Sequence, residues 1–113
     1  MKVAVIGSRD FNDYNLVKST LSTLNITLIV SGGARGADTL GERYAEENKI
    51  PTKIFYPDWG THGKSAGFKR NTNIVENSDL ILAFWDGSSK GTLDSLNKAS
   101  RLGKNLLIIN YKK

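Results

Sequence analysis

Glycine, small hydroxyl side chains and arginine come together in two turns of this chain, Gly7-Ser8-Arg9 and Ser31-Gly32-Gly33-Ala34-Arg35-Gly36-Ala37-Asp38. Glycine and hydroxyls recur with lysine in a third, Asp86-Gly87-Ser88-Ser89-Lys90-Gly91-Thr92. Such combinations suit an anionic oxygen. Glycine lets backbone N–H groups approach and converge, and arginine adds a rigid two-pronged donor that matches phosphate geometry. In the middle turn, Gly32, Gly33 and Gly36 allow inward-pointing amides at a helix start, with Arg35 inside the turn as a clamp. Arg9 is placed to reach the same crevice from the first turn; its bland alternative is a surface ion pair with Asp10 or Asp13. Ser88, Ser89 and Thr92 offer hydroxyls beside the bare backbone of Gly91, a second clamp for phosphate or ribose.

Asp38, Glu42 and Asp86 are the carboxylates nearest this crevice and the candidate catalytic groups, able to hold ribose hydroxyls or act on a glycosidic bond. Asp38 and Glu42 share a helical face at i, i+4. Their structural alternatives are plain: Asp38 as a charge at a helix N-terminus, Glu42 as a partner for Arg9 or Arg35. His62, the sole histidine, reads as an exposed bystander. Trp59 is the better candidate for base stacking, since Trp85 ends an apolar run and reads as core. Neither the dinucleotide fingerprint nor the ATPase phosphate loop is present, so ATP hydrolysis is not expected. No metal-ligand spacing occurs, and no cofactor is implied.

The elements that must position these turns are legible in the apolar runs. Val3 to Ile6, Thr27 to Val30, Thr52 to Tyr56, Leu80 to Trp85 and Leu106 to Ile109 read as five strands. Runs such as Leu80-Ile81-Leu82-Ala83-Phe84-Trp85 are continuously apolar, as strands covered on both faces should be. Between them lie helical patterns. Asn12 or Asp13 caps the first, with Val17, Leu21 and Leu24 as its stripe. Ala37, Leu40, Tyr44 and Ala45 mark the second, and Leu93, Leu96 and Ala99 the fourth, ended by Gly103. The third is odd, because Asn71 shares a face with Gly67, Ile74 and Ser78. Pro57 to Gly63 reads as the one long loop, a candidate lid.

Strands alternating with helices, joined by connections too long for hairpins, predict a parallel sheet with right-handed crossovers. The expected fold is α/β: one three-layer domain over residues 1–113 with strand order 3-2-1-4-5. That order puts strands 1 and 4 side by side at the switch point, below the first and third glycine turns.

Sixteen basic residues against eleven acidic ones give a net charge of +5, which favours anionic partners. The lysines are scattered, only Lys112 and Lys113 are paired, and aromatic residues do not interleave them, so a nucleic-acid stripe is not favoured. The absence of cysteine suits a reducing compartment, and the cytoplasm is the expected location. No run approaches membrane-spanning length.

Four ordered motifs resemble the YspA-like family of the SLOG superfamily of Rossmann-like proteins: Gly7-Ser8-Arg9-Asp10-Phe11, Ser31 to Asp38, Ala66-Gly67-Phe68-Lys69-Arg70-Asn71, and Trp85 to Thr92. The resemblance implies that Arg70 and Asn71 face the pocket, which would explain the odd third helix. It also implies a nucleotide-phosphate pocket comprising Gly7, Ser8, Arg9, Ser31, Gly32, Gly33, Ala34, Arg35, Gly36, Asp38, Arg70, Asn71, Asp86, Gly87, Ser89, Gly91 and Thr92. The expected partner is a nucleotide-derived small molecule, with self-association into a homodimer or higher homo-oligomer by analogy. SLOG relatives include phosphoribohydrolases and DprA-type single-strand DNA binders, so glycosidic hydrolysis and nucleic-acid binding stand as alternatives. The hydrolase branch carries P-G-G-x-G-T-x-x-E, whereas this chain reads Gly91-Thr92-Leu93-Asp94-Ser95, with Ser95 in the place of the catalytic glutamate.

Overall fold

The computed structural model describes residues 1–111; the Lys112-Lys113 pair lies outside them. Five parallel strands form one sheet, β1 (Lys2–Gly7), β2 (Leu28–Ser31), β3 (Thr52–Ile54), β4 (Leu80–Trp85) and β5 (Asn105–Asn110), in the order β3-β2-β1-β4-β5. This is the predicted order. Alternate residues of β1 separate the two cores. Val3 and Val5 pack with Val17 and Leu21 of α1 (Tyr14–Leu21) and with Tyr44 and Ala45 of α2 (Ala37–Glu47). Ala4 and Ile6 pack on the other face with Ile74 and Val75 of α4 (Ala66–Glu76) and with Leu96 and Ala99 of α5 (Lys90–Arg101). The period-two alternation of strand side chains thus supplies one face to each helical layer.

Asp13 caps α1, its Oδ1 accepting from the Leu16 N–H at 3.1 Å. Gly103 follows α5, its N–H donating to the Ser100 carbonyl. Gly41 brings α2 close to β1: a Cβ there would lie 2.7 Å from the Val5 side chain.

Several expectations need correction. Strand β3 stops at Ile54, and Tyr56 lies beyond it, 69% exposed. Pro57 to Gly63 is not a loop, because Asp58 caps a short helix α3 (Trp59–His62) by accepting from the Thr61 N–H, and a 3-10 turn follows. Leu93 faces outward on α5, although Leu96 and Ala99 are core. Nor is β5 covered on both faces. Among the described residues it pairs, as the edge strand, with β4 alone, and Leu106, Leu107 and Ile108 stay exposed. Among the described residues, no helix is long and apolar enough to cross a membrane.

Candidate functional site

At the C-terminal edge of the sheet, the turns after β1 and β4 are tied directly. Ser8 Oγ accepts from the Asp86 N–H at 3.0 Å, while the Ser8 N–H donates to the Phe84 carbonyl at 3.0 Å. Ser8 is therefore a buried latch across the switch point. The first turn also supports the second. Gly36 has φ +86°, and a Cβ there would lie 2.3 Å from the Ser8 carbonyl oxygen, so only glycine fits beneath that turn. At Gly7 a Cβ would lie 2.2 Å from the Phe84 carbonyl oxygen, which likewise requires glycine.

The middle glycine turn uses amides inside the chain. Asp38, at the start of α2 and buried, accepts from the Gly32 N–H at 2.9 Å. Ser31 Oγ accepts from the Gly33 N–H at 3.2 Å and donates to Glu42 Oε2 at 2.6 Å. Glu42 thus holds Ser31, and not Arg9 or Arg35. Burial pushes the Asp38 carboxyl up to about 7, only partly offset by the Gly32 and Ala34 amides and by Arg70, with Glu42 adding to the rise. A carboxyl lining this cleft can therefore exchange a proton near neutrality.

Arg70 and Asn71, from α4, complete the inner wall. Arg70 Nη1 donates to the Gly32 carbonyl at 2.6 Å, and its Nε donates to Asn71 Oδ1 at 3.0 Å. Because Arg70 can only donate, that contact fixes which end of the Asn71 amide is oxygen. Asn71 Nδ2 then donates to the Gly91 carbonyl at 3.2 Å and to Asp94 Oδ2 at 3.1 Å. Lys98 Nζ donates to the same Asp94 oxygen at 2.8 Å. A polar chain thus crosses from α2 through α4 to α5. The polar Asn71 on an otherwise buried helix face belongs to this chain, as well as lining the cleft.

The third turn is shaped by Asp86, whose Oδ1 accepts from the Ser88 and Ser89 N–H groups at 2.9 and 2.8 Å. Those two amides hold the Asp86 carboxyl below its ordinary value. They also deliver the chain into α5, whose N-terminus has no side-chain cap. Helix α2 starts the same way, with Gly36 at its cap position. Uncapped N-termini leave first-turn amides and the positive end of the helix dipole open to an anion.

Three cavities meet here, and Arg9 lines all of them. The inner one, about 90 Å³, lies between the α5 N-terminus (Ser89, Gly91, Thr92) and the wall of Asp38, Arg70 and Asn71. The second, about 320 Å³, is lined by Gly32, Gly33, Ala34, Arg35, Tyr56, Pro57, Trp59 and Arg70. The third, about 370 Å³, is lined by Ser8, Asp10, Asp86, Ser89 and Gly91. Among the described residues Arg9 makes no ion pair: Asp10 accepts from the Tyr111 hydroxyl and Asp13 caps α1.

Of the residues singled out in the sequence, Gly7, Arg9, Ala34, Asp38, Arg70, Asn71, Ser89, Gly91 and Thr92 line the inner cavity. Arg35 lines only the second, Asp86 only the third, and Ser31, Gly36, Glu42 and Gly87 line none of the three. Sequence reasoning passed over Tyr56 and the Asp94–Lys98 pair, although the i, i+4 spacing of the latter was a readable signal. Ser95 is buried and lines the inner cavity, while Asp94 bonds Asn71 and Lys98. Position 95 thus presents a hydroxyl, not a carboxylate, to the inner cavity.

A parallel sheet in this order with a cleft at its switch point defines a Rossmann-like α/β protein. Residues 1–62 match the YspA, cpYpsA-related SLOG family. The chain is 34% identical over 121 aligned residues to the Gene 61 protein of Mycobacterium phage D29, covering 97% of this chain and 95% of that protein. The chain belongs to the YspA, cpYpsA-related SLOG family. Its fold is similar to that of DNA processing protein A (DprA) from Streptococcus pneumoniae, with a TM-score of 0.81 and 22% identity. That match covers 95% of this chain and 49% of the DprA chain, so the chain spans about half the length of that protein.

Proposed function

We propose that the protein binds a nucleotide-derived ligand through its phosphate, held in the inner cavity between Arg9 and the α5 N-terminus. The observation that carries this reading is the position of Arg9, which lines three adjoining cavities without an ion-pair partner among the described residues. A guanidinium so placed, facing an uncapped helix N-terminus, suits an incoming oxyanion. Trp59 and Tyr56, 57% and 69% exposed on the adjoining wall, offer apolar surface for a base. Sensing or sequestration of the ligand fits this arrangement better than turnover, because Glu42 is engaged by Ser31 and Ser95 replaces the expected glutamate.

The test is a thermal-shift and calorimetric screen over mononucleotides, dinucleotides and cyclic oligonucleotides. A ligand at a hundred times its Kd adds about 2.7 kcal/mol to stability. Affinity lowered roughly ten-fold or more by Arg9→Ala supports the reading; no stabilisation by any nucleotide refutes it. Chromatography of the same mixtures for released base tests hydrolysis, for which Asp38 is the one buried carboxyl at the cleft.

A second reading, binding of single-stranded nucleic acid, is favoured by the DprA-like fold and the net charge of +5. Oligonucleotide affinity falling steeply with log salt distinguishes it from capture of a small ligand. Self-association has its natural seat on the bare β5 edge, where Leu106, Leu107 and Ile108 are exposed. Sedimentation velocity with and without Leu107→Lys tests that placement.

A further inference from the structure

The two edges of the sheet are built differently. β3 is 3 residues long, follows Pro51 and carries Lys53 at its middle, features by which sheet edges discourage a further strand. β5 is 6 residues long, and Asn105 to Asn110 include neither a charge nor a proline. Its exposed side chains leave both faces apolar at the edge, Leu106 and Ile108 on one and Leu107 on the other. Among the described residues no strand meets its outer side, and Lys112 and Lys113 are too few to turn back along it.

The strand's own sequence suits it to a second copy. Two identical edge strands pair about a two-fold axis normal to the sheet, which makes them antiparallel. Side chains directly opposite must share a face, so the axis passes through a residue and not between two. With Leu107 on the axis, Leu107 meets its counterpart on one face, and Leu106 meets Ile108 twice on the other. Every exposed apolar residue of the strand then finds another. With Leu106 on the axis, Leu107 would meet Asn105 and Ile108 would meet Lys104; with Ile108 there, Leu106 would meet Asn110. The Leu107 register also sets Lys104 of one copy opposite Asn110 of the other. The Asn110 amide lies against the turn that carries the Asp86 carboxylate, since a Cβ on Gly87 would lie 3.5 Å from Asn110 Nδ2. Opposite charges thus come to both ends of the ladder, where two chains of net charge +5 would otherwise repel.

Resting on the reading that self-association is seated on β5, we propose that its occupant is a second copy of this chain, joined by antiparallel β5 to β5 pairing with Leu107 on the two-fold axis. The sheet then runs unbroken through both chains, and the two clefts open toward opposite ends of it.

The chain has no cysteine, so single thiols placed on β5 report the register without background. Residues directly opposite across an antiparallel pair have Cα atoms about 4.5–5.5 Å apart, within reach of a disulfide, whereas residues two positions out of step lie about 7–8 Å apart and are not bridged. In a glutathione redox buffer, Leu107→Cys is expected to form a covalent dimer roughly ten-fold or more faster than Leu106→Cys or Ile108→Cys alone. An equal mixture of the latter two, told apart by mass, is expected to cross-link as a heterodimer. Sedimentation velocity on the wild type and Leu107→Lys runs alongside. A dimer that Leu107→Lys dissociates, but in which Leu106→Cys or Ile108→Cys alone matches Leu107→Cys, or in which neither Leu107→Cys nor the mixture cross-links, overturns this register and leaves the β5 seat standing. A wild type that stays monomeric at every concentration, or a dimer that Leu107→Lys leaves intact, overturns both. The phosphate reading is untouched by any of these outcomes.

Discussion

Asp38 and Arg70 hold opposite ends of the same residue: Asp38 Oδ2 accepts from the Gly32 N–H at 2.9 Å, and Arg70 Nη1 donates to the Gly32 carbonyl at 2.6 Å. The carboxylate sits where the glycine-rich turn would otherwise receive an external anion. The task of meeting a ligand moves outward, to Arg9 and the start of α5.

Arg70→Ala is expected to cost stability as well as affinity. It leaves the Gly32 carbonyl and Asn71 Oδ1 without their donor and Asp38 without its nearby cation, a loss of about 1–3 kcal/mol. Chemical denaturation of the unliganded protein measures this, and an unchanged midpoint would count against the clamp.

Arg9→Ala should behave in the opposite way. Arg9 is exposed and has no ion pair among the described residues, so the unliganded protein should melt within about a degree of wild type. Ligand affinity should nevertheless fall roughly ten-fold or more, the worth of a charge-assisted bond. Arg35→Ala, touching only the aromatic-side cavity, should lower affinity less. Equal effects in calorimetry would remove the distinction between the two arginines.

The raised Asp38 value makes stability depend on pH in a direction unusual for a carboxyl. Its ordinary value is 3.8 and its folded value about 7, so between these the folded state binds more protons than the unfolded one. Stability contributed by Asp38 is therefore fully present below about pH 4 and is lost as pH rises to about 7, with a slope approaching about 1.4 kcal/mol per unit. Other carboxyls, Asp86 among them, slope the opposite way, so the relevant curve is wild type minus Asp38→Asn. That difference should fall between pH 4 and 7 and flatten above; a flat difference throughout would place Asp38 in an ordinary environment.

Two glycine substitutions should separate scaffold from cleft. Gly36→Ala forces a Cβ to 2.3 Å from the Ser8 carbonyl at φ +86°, and should destabilise the fold by more than about 1 kcal/mol. At Gly91 a Cβ meets nothing within 4 Å, so alanine in the first turn of α5 should leave the melting temperature unchanged or slightly higher. Because Gly91 lines two of the cavities, ligand affinity should still drop.

Strand order and the pairing of β1 with β4 were legible because continuous apolar runs alternate with helical stripes, a pattern only a covered parallel sheet satisfies. The exposure of β5 was not legible. Leu106-Leu107-Ile108 has the same composition as a central strand, and only its place at the edge leaves it bare. Residue type likewise marked Arg9, Ser8 and Asp38, but not the direction of their hydrogen bonds. That Ser8 would bind Asp86 backbone, or Asp38 the Gly32 amide, depends on contacts 78 and 6 residues apart in the chain. Arg70 stood out only through likeness to a family, since a lone arginine on a helix has no local signature.

The polar chain from Asp38 through Arg70 and Asn71 to Asp94 and Lys98 has an evolutionary consequence. Asp38 and Arg70 meet through Gly32, and Arg70, Asn71, Asp94 and Lys98 bond in turn, so replacing one takes a partner from the next and single steps away from the set cost stability. Relatives should therefore keep or exchange these five positions as a group. Residues 9, 35, 56 and 59, bonded to little else in the fold, are where a lineage can change what it recognises without rebuilding what holds it together.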